Sequence, residues 1–559
     1  MADDLSKKVE EWNARLDSMR QNGQLKDEAV TDAGIPVKAV YTPLDVSGLD
    51  YADDIGLPGE YPYVRGSRNT GYISRLWTMR QNTGFGGGSE TNERLKFLMR
   101  SGETGLNIIL DAPTHRWVDC DHEIATGQVG FTGVSISTLQ DMEDLFEDIP
   151  LDKARVTLIA QANAPIIMAM YVAAAEKRGI ALADLKGDIQ NDPLREYEGV
   201  GCGGYRVFPM RPALKLALDV MEYAIRNIPQ WTPVTVNGHA IREYQISPDM
   251  EAAIVLSNAR EYLKGLVSRG LNVDQIAPRF GFFMATNHNY LFQEVAKFRA
   301  CRYLWASMMK EEFHASDQRS YQLRIGTLNI GTFFTRQHAL NNITRITLQT
   351  LAAVLGGCQS IATMAYDEAL ALPTEEAQYT SLCIQNIIAH ETGITDTIDP
   401  MGGSYMIESI TKTMRDKIQE WMLKIGEKGG VAEAVDKGFF QKDLVGSQQA
   451  MKRLMEVETG ERVVVGVNKM EREEELARPR LFAPNPEYEK AQKAKLAEFK
   501  NKRDSQRVSE ALSGLDRVIS TDANVMPCLI EAVKAGATVG ETGAILGKHY
   551  GEAKRGFVF

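Results

Sequence analysis

His115, Asp119, Cys120, Asp121 and His122 crowd one short stretch. Imidazole, thiolate and carboxylate are the usual ligands of zinc and its neighbours, but this spacing fits no standard zinc motif, and no metal is expected. A second candidate is the glycine run Gly84–Gly88 in TGFGGGSETNERL, which could turn tightly and aim helix-start amides at a phosphate. No Lys follows it as in a P-loop, so a plain strand-to-helix turn is the favoured reading. Cys202, in GVGCGGY, would suit a thiol nucleophile, yet no base or acidic partner identifies itself and a small residue in a loop is the simpler account. There is no nucleophile elbow and no HExxH.

The elements around these residues are short β-branched runs alternating with long helical patterns. Strands are expected at 75–81, 105–111, 155–161, 233–238, 277–283, 320–327, 358–364 and 395–399. Between them lie amphipathic helices. STLQDMEDLFEDI places Ser137 three residues before Gln140, a capping-box pattern, and Ser247 followed by Pro248 marks another helix start. Eight strands, each followed by a helix, predict an α/β protein built on a parallel (β/α)8 TIM barrel, with a doubly wound open sheet as the competitor. After about Met401 the strand signal fades into helices joined by RPRLFAPNPEY. The expected organisation is an N-terminal helical arm over 1–40, a barrel over 41–400 and a C-terminal helical region over 401–559. In the arm, Leu5, Val9, Trp12, Leu16 and Met19 form a narrow apolar stripe.

Bulk properties exclude several classes. A net charge of −11 over 559 residues argues against nucleic acid or an anionic membrane surface as the main partner. The N-terminus lacks the basic and apolar segments of a signal peptide, PIIMAMYVAAA is too short for a membrane span, and six Cys without a CxxC pair read as reduced thiols of a cytoplasmic protein.

Several stretches in order, among them RLWTMRQNTGF, ETNERLKFLMRSGETGLNIILDAPTH, QVGFTGVSI, GDIQNDPLREY, GLNVDQIAPRFGFF, DEALALPTEEA, IDPMGGSY and VVVGVNK, resemble the large, substrate-binding chain of the adenosylcobalamin-dependent acyl-CoA mutases, the methylmalonyl-CoA mutase family. The likeness runs from about Tyr41 to the C-terminus. It implies a barrel bored along its axis, CoA threaded through it, and a radical rearrangement of the acyl carbon skeleton. By this resemblance Thr70, Thr78, Arg80, Gln81 and Arg279 contact CoA, Gln190 the acyl group, and Glu368 the adenosyl ribose, with Thr132 beside it. The cobalt-ligating DxHxxG motif of such mutases is absent; His314 and His549 have the wrong neighbours. The resemblance therefore implies that adenosylcobalamin is held mainly by a separate small subunit, in a hetero-oligomer such as a heterotetramer, possibly served by a G-protein chaperone.

Departures from the family pattern bear on the substrate. Asn82 stands where methylmalonyl-CoA mutases carry a substrate-packing Tyr, and Val200 where they carry the Arg that pairs with the substrate carboxylate. Ala240 replaces the thioester-binding His, with His239 one step earlier, and Gln230 replaces a Lys. The implied acyl pocket, formed by Asn82, Gln190, Val200 and His239, is larger and less cationic, which points to a branched or bulky acyl-CoA. The alternatives are methylmalonyl-CoA with another cation serving its carboxylate (Arg206 and Arg211 being candidates for a more distant one), a non-catalytic acyl-CoA-binding or assembly relative, and a cobalamin-free lyase.

Overall fold

The β-branched runs form strands in the computed structural model of the chain, which describes residues 2–25, 28–199, 206–440, 449–471, 481–483 and 485–553. Val200 and Cys202 lie outside the described residues. Strands β1 (Ala29–Val30) and β2 (Pro36–Val37) make a small antiparallel hairpin. The remaining strands are β3 (Thr78–Arg80), β4 (Asn82–Thr83), β5 (Leu106–Ile109), β6 (Arg155–Ile159), β7 (Lys186–Ile189), β8 (Trp231–Thr232), β9 (Val234–Asn237), β10 (Phe280–Thr286), β11 (Ile325–Asn329) and β12 (Ser360–Ala362). They build two parallel five-stranded sheets, ordered β3-β12-β11-β10-β9 and β4-β5-β6-β7-β8.

The sheets share their edges. A single residue, Gln81, separates β3 from β4, and Pro233 separates β8 from β9. Each break has a physical cause. Proline has no N–H to give a ladder. The Gln81 N–H is taken by the buried Glu103 carboxyl at 2.6 Å instead of a neighbouring strand. Burial raises the Glu103 pKa to about 8, so the carboxyl fills this gap largely neutral at pH 7.

Two expectations need correction. The stretch 395–399 is a turn whose Asp399 accepts from Arg65 and Arg299, so its alternating Thr and Asp serve turn and ion-pair chemistry. The strand missing from the sequence reading is β7, KGDI, whose Gly, Asp and Lys mask it; the pairing between β6 and β8 imposes the extended backbone. The helix start near 137 is also displaced by one residue. Thr138 is the N-cap, reciprocated by Asp141, whose carboxylate additionally takes the Ser137 N–H.

Helix Ala164–Lys177 contains the PIIMAMYVAAA run, buried from Ala164 through Ala175 against the second sheet. Among the described residues no helix is long and apolar enough to cross a membrane. The C-terminal helices split between the two cores. Ile410, Met414 and Ile418 of Tyr405–Glu427 join the cluster around β9 to β12, while Leu515, Leu529, Ile530 and Leu546 join the one around β5 to β8. EYEKAQKAKLAEFKNKRDSQ is broken at Arg503 because Asp504 caps a new helix, Ser505–Ile519.

A buried ionic knot ties chain segments far apart in sequence. Lys297 lies 2.8 Å from Glu251 and 2.7 Å from Glu294, and Arg242 lies 3.2 Å from Glu294. Asp32, in the β1–β2 hairpin, sits 4.0 Å from Arg242 and pairs with Arg453 from the C-terminal region. In the N-terminal helix Ala2–Gln21, Leu5, Val9, Trp12 and Leu16 are half-buried and Met19 is exposed.

Candidate functional site

The glycine run after β4 is a packing device. A Cβ on Gly84 would stand 2.1 Å from the Ile109 carbonyl, and one on Gly88 2.4 Å from the Asp141 carbonyl. One on Gly87 would meet the Gln492 amide, because helix Glu487–Lys502 lies directly on this loop. The amide at the helix start that a phosphate would need is already taken, since Gly87 N–H donates to Glu90 at 2.9 Å. The strand-to-helix turn therefore stands, and its tightness brings Asn82, Thr83 and Phe85 against a cavity.

That cavity encloses about 660 Å³ of empty space, part of it open to solvent. Its lining includes Gln81, Asn82, Thr132 and Glu368, with Ile109, Met364, Leu372, Pro373 and Phe482 as apolar wall. Four residues singled out from sequence are thus brought together from three strand ends. The Asn82 amide oxygen accepts from Asn107 Nδ2 at 3.1 Å, which leaves its own NH2 group for a ligand. The Gln81 side chain donates to Thr363 Oγ1 at 2.7 Å. Glu368 is exposed at the cavity wall, where the protein around it, then the Asp367 and Glu243 carboxylates, raise its pKa to about 7. Thr132 sits on a loop held by Asp111, whose carboxylate accepts from Gly130 N–H at 2.8 Å and from Thr114.

Other predicted residues lie elsewhere. Arg80 is buried within the sheets, donating to Ser360 at 2.9 Å, Asn107 at 2.8 Å and Thr157 at 2.6 Å, with Asp188 at 3.6 Å. Thr157 and Thr235 also donate to Asp188, so a polar layer crosses six strands below the cavity. Gln190 is buried, and its amide oxygen accepts from Gln161. His239 Nε2 lies 3.0 Å from the Asn329 carbonyl and 3.3 Å from Glu243, at the ends of β9 and β11; it does not line the cavity. Gln230 reaches the Ala183 carbonyl, remote from it. Arg206 is spent on the carbonyls of Glu196 and Gly199, and Arg211 on Glu433 and Asp436 at the surface, so neither is the cation sought for a distant carboxylate.

At the opposite, N-terminal ends of the strands the sequence reading missed a group of arginines. Arg155 begins β6, Arg324 immediately precedes β11, and Arg68 and Arg75 stand ahead of β3. Burial, followed by the charge of Arg75, depresses the Arg68 pKa; the same two causes act on Arg155, and burial holds Arg324 at about 10. None of the four is ion-paired among the described residues. Arg324 donates to the Phe280 carbonyl at 3.1 Å, and Asp188 offsets part of the charge of Arg155 and Arg324; the charge left over is an anion site in waiting. Thr78 starts β3 on this side, and Thr70 bonds the Ser74 hydroxyl at 2.6 Å. Arg279 is here too, but its guanidinium caps the carbonyls of Ala224, Ile228 and Trp231 at the end of helix Met210–Asn227. Three separate strands, β3, β6 and β11, supply the four arginines, which is why no local motif announces them.

The suspected metal residues are pulled apart. Asp119 accepts from Thr538 and Gly540, Asp121 pairs with Lys500, His122 caps Glu123–Ala125, and Cys120 is buried with its thiol pushed up to about 12 by desolvation.

A sequence model of the methylmalonyl-CoA mutase family matches residues 30–552. The chain belongs to the methylmalonyl-CoA mutase family. It is 38% identical over 524 residues to the 2-hydroxyisobutanoyl-CoA mutase large subunit of Aquincola tertiaricarbonis, covering 94% of this chain and 92% of that one. It is 35% identical to methylmalonyl-CoA mutase of Rhizobium meliloti, over 93% of this chain and 72% of the relative. It is 34% identical to the methylmalonyl-CoA mutase large subunit of Streptomyces virginiae, over 98% and 75%. These relatives are mutases, and this family member is an enzyme of the isomerase class.

Proposed function

We propose that the chain is the substrate-binding, catalytic large subunit of an adenosylcobalamin-dependent acyl-CoA mutase that rearranges the carbon skeleton of a branched or bulky acyl-CoA. The observation that carries this reading is the cavity that unites Asn82, Gln81, Thr132 and Glu368, in a chain matched to the family over almost its whole length. Architecture supports it. The two sheets share the strand interrupted at Gln81 and the strand interrupted at Pro233, which is how a single eight-stranded barrel would read when its ladder breaks twice. The domains are then an N-terminal arm, the barrel and the C-terminal helices.

In this proposal CoA enters from the N-terminal strand ends, where Arg68, Arg75, Arg155 and Arg324 neutralise its phosphates through charge-assisted bonds. Thr70, Thr78 and Arg279 lie on the same side. Arg80 and the polar layer steady the passage, and the acyl group reaches the cavity beside Asn82. The residues present fit the adenosyl part of the cofactor: a carboxyl, Glu368, and a hydroxyl, Thr132, both lining one cavity, are what a ribose diol needs. Bound adenosylcobalamin would supply the hydrogen-abstracting radical chemistry; the protein's share is to hold the acyl group, exclude water and keep reactive fragments from escaping. At pH 7 Glu368 is poised to be either donor or acceptor toward a ribose hydroxyl. A separate cobalamin-binding subunit is supported by the words "large subunit" in the names of two relatives. A hetero-oligomer in the cytoplasm, with a G-protein chaperone, completes the proposal.

The test is a panel of acyl-CoA thioesters, incubated with the chain, a cobalamin-binding partner subunit and adenosylcobalamin, and read by mass spectrometry. An isomerised branched thioester is expected, and the chain alone should hold cobalamin only weakly. No isomer from any thioester, or tight stoichiometric cobalamin binding by this polypeptide alone, would sink the reading.

A further inference from the structure

Two neighbouring helices turn an uncharged face to solvent. Helix Asn341–Leu355 packs beside helix Glu375–Glu391. The first has one charged residue, Arg345, which is buried and turned inward to Thr335 at 2.9 Å and Asn342 at 2.8 Å. On its other side Leu340, Thr344 and Leu348 are exposed and Thr347 and Leu351 half-buried, at the three- and four-residue spacing of a helix built to pack. On the second helix Tyr379, Cys383 and Ile387 repeat every four residues, the first and last exposed and Cys383 half-buried, and no charged side chain stands between Glu376 and His390.

Solvated helices of this chain look different. Helix Gly88–Arg100 exposes Glu93 and Arg100, and helix Glu487–Lys502 exposes Glu487, Lys490 and Lys502, in keeping with a sequence that is 25% charged. Neutrality over two adjacent helices therefore asks for a cover, and charge says which one. Each chain carries a net −11, so two copies repel and can meet closely only through a face free of charge. In a two-fold contact a patch faces itself, and a charged residue near the axis would meet its own like. Helices of 15 and 17 residues laid side by side give a footprint roughly 22 Å by 20 Å, about 900 Å² over both copies against the ~1,200–2,000 Å² of stable interfaces. That size fits a reversible dimer.

We infer that the outer face of helices Asn341–Leu355 and Glu375–Glu391 is a two-fold contact between copies of this chain, centred on Leu348, Tyr379, Cys383 and Ile387. Helix Glu375–Glu391 also carries Gln378, which lines the cavity, so the contact braces one cavity wall from behind. The surface is separate from the acyl-CoA site, and the inference stands or falls without it.

The experiment uses the full chain. Sedimentation across the micromolar range should show a reversible monomer–dimer equilibrium. Maleimide labelling of Cys383, read by peptide mass spectrometry, should be fast in the dilute chain and slow sharply as dimer forms. Leu348→Glu and Tyr379→Glu each set a carboxylate against its own copy and should raise the dimer Kd by about tenfold or more. Met451→Glu, at an exposed position outside the face, should leave it unchanged. A chain that stays monomeric throughout, a dimer in which Cys383 labels as fast as in the monomer, or a dimer indifferent to both face substitutions would overturn the assignment. So would protection of Cys383 that appears only when a cobalamin-binding subunit is added, which would give the face to that partner. Sedimentation and labelling of the wild-type chain decide the matter even where a glutamate variant folds badly.

Discussion

The two ends of the parallel strands are electrostatic opposites in design. At the N-terminal ends Arg68, Arg75, Arg155 and Arg324 gather without ion pairs among the described residues, and like charge acts on Arg68, Arg155 and Arg324. At the C-terminal ends Asn82, Gln81 and Thr132 present neutral amides and hydroxyls, Arg94 packs beside the edge-to-face pair of Phe85 and Phe482, and Glu368 is raised to about 7. The first arrangement is strong, diffuse and indifferent to shape, as suits a polyphosphate handle common to many substrates. The second is geometric and sparing with charge, as suits the part of the ligand that differs. Between them lies the Arg80 layer, which belongs to neither end and holds both in register.

Breaking that middle layer should have the largest effect. Arg80→Ala takes the donor from Ser360, Asn107 and Thr157 and removes a cation 3.6 Å from the half-buried Asp188; leaving such buried polar groups unsatisfied costs about 1–3 kcal/mol each. Equilibrium unfolding should register it as a stability loss, where the family resemblance implied a contact to CoA. A melting curve unchanged from wild type would move Arg80 from the scaffold to the ligand.

Next in size, Arg155→Ala and Arg324→Ala should each weaken CoA binding by about 1.5–3 kcal/mol, the worth of a charge-assisted bond. Relief of like-charge crowding should leave Tm level or slightly higher. Calorimetry with free CoA at several salt concentrations measures both the loss and the flatter salt dependence expected of each variant. Affinity and salt dependence identical to wild type would mean the phosphates bind elsewhere.

At the other end the effect should be selective. Asn82→Tyr fills part of the cavity, and overpacking costs about 1–3 kcal/mol, so the ratio of specificity constants for a bulky against a small acyl-CoA should fall ten- to a hundredfold while stability holds. An unchanged ratio would take Asn82 out of the acyl pocket.

The smallest effect is a slope. Glu368 has a folded pKa near 7 against an ordinary value of 4.5, so between those values the folded state binds the extra proton. Its stability contribution is full below pH 4.5 and fades as pH rises through 7. Glu368→Gln should therefore flatten the decline in Tm between pH 5 and 8. Parallel curves for wild type and variant would show that the carboxyl titrates normally.

How much of this was legible depended on whether a signal was local. Alternating strands and helices gave the parallel architecture, and Asn82, Thr132 and Glu368 could be placed because each sits in a recognisable strand-end segment. Arg94 was not, since on an amphipathic helix an Arg reads as part of the solvated face, and only the rings of Phe85 and Phe482 turn it inward. The arginines at the N-terminal ends escaped for a different reason. Arg155 begins one strand, Arg324 stands one residue before another, and Arg68 and Arg75 lie in the segment ahead of a third, so only lateral pairing brings them together. KGDI was invisible because its extended backbone is dictated by neighbours on both sides. His239 shows the converse: a residue type that invites a catalytic reading, turned by its short helix toward the Asn329 carbonyl.

The ionic knot around Arg242 has a consequence for how the chain is made. Asp32, Glu251 and Glu294 face Arg242 and Lys297, and the third cation comes from Arg453. A nascent polypeptide that has emerged from the ribosome only as far as the last strands therefore carries one buried carboxylate too many, which desolvation penalises. Synthesis runs from the N-terminus at about 5–20 residues per second, so this half of the core waits several seconds for its late arginines, Arg453 and, 4.0 Å from Asp32, Arg462. The hairpin bearing Asp32, among the first elements translated, is among the last that can lock.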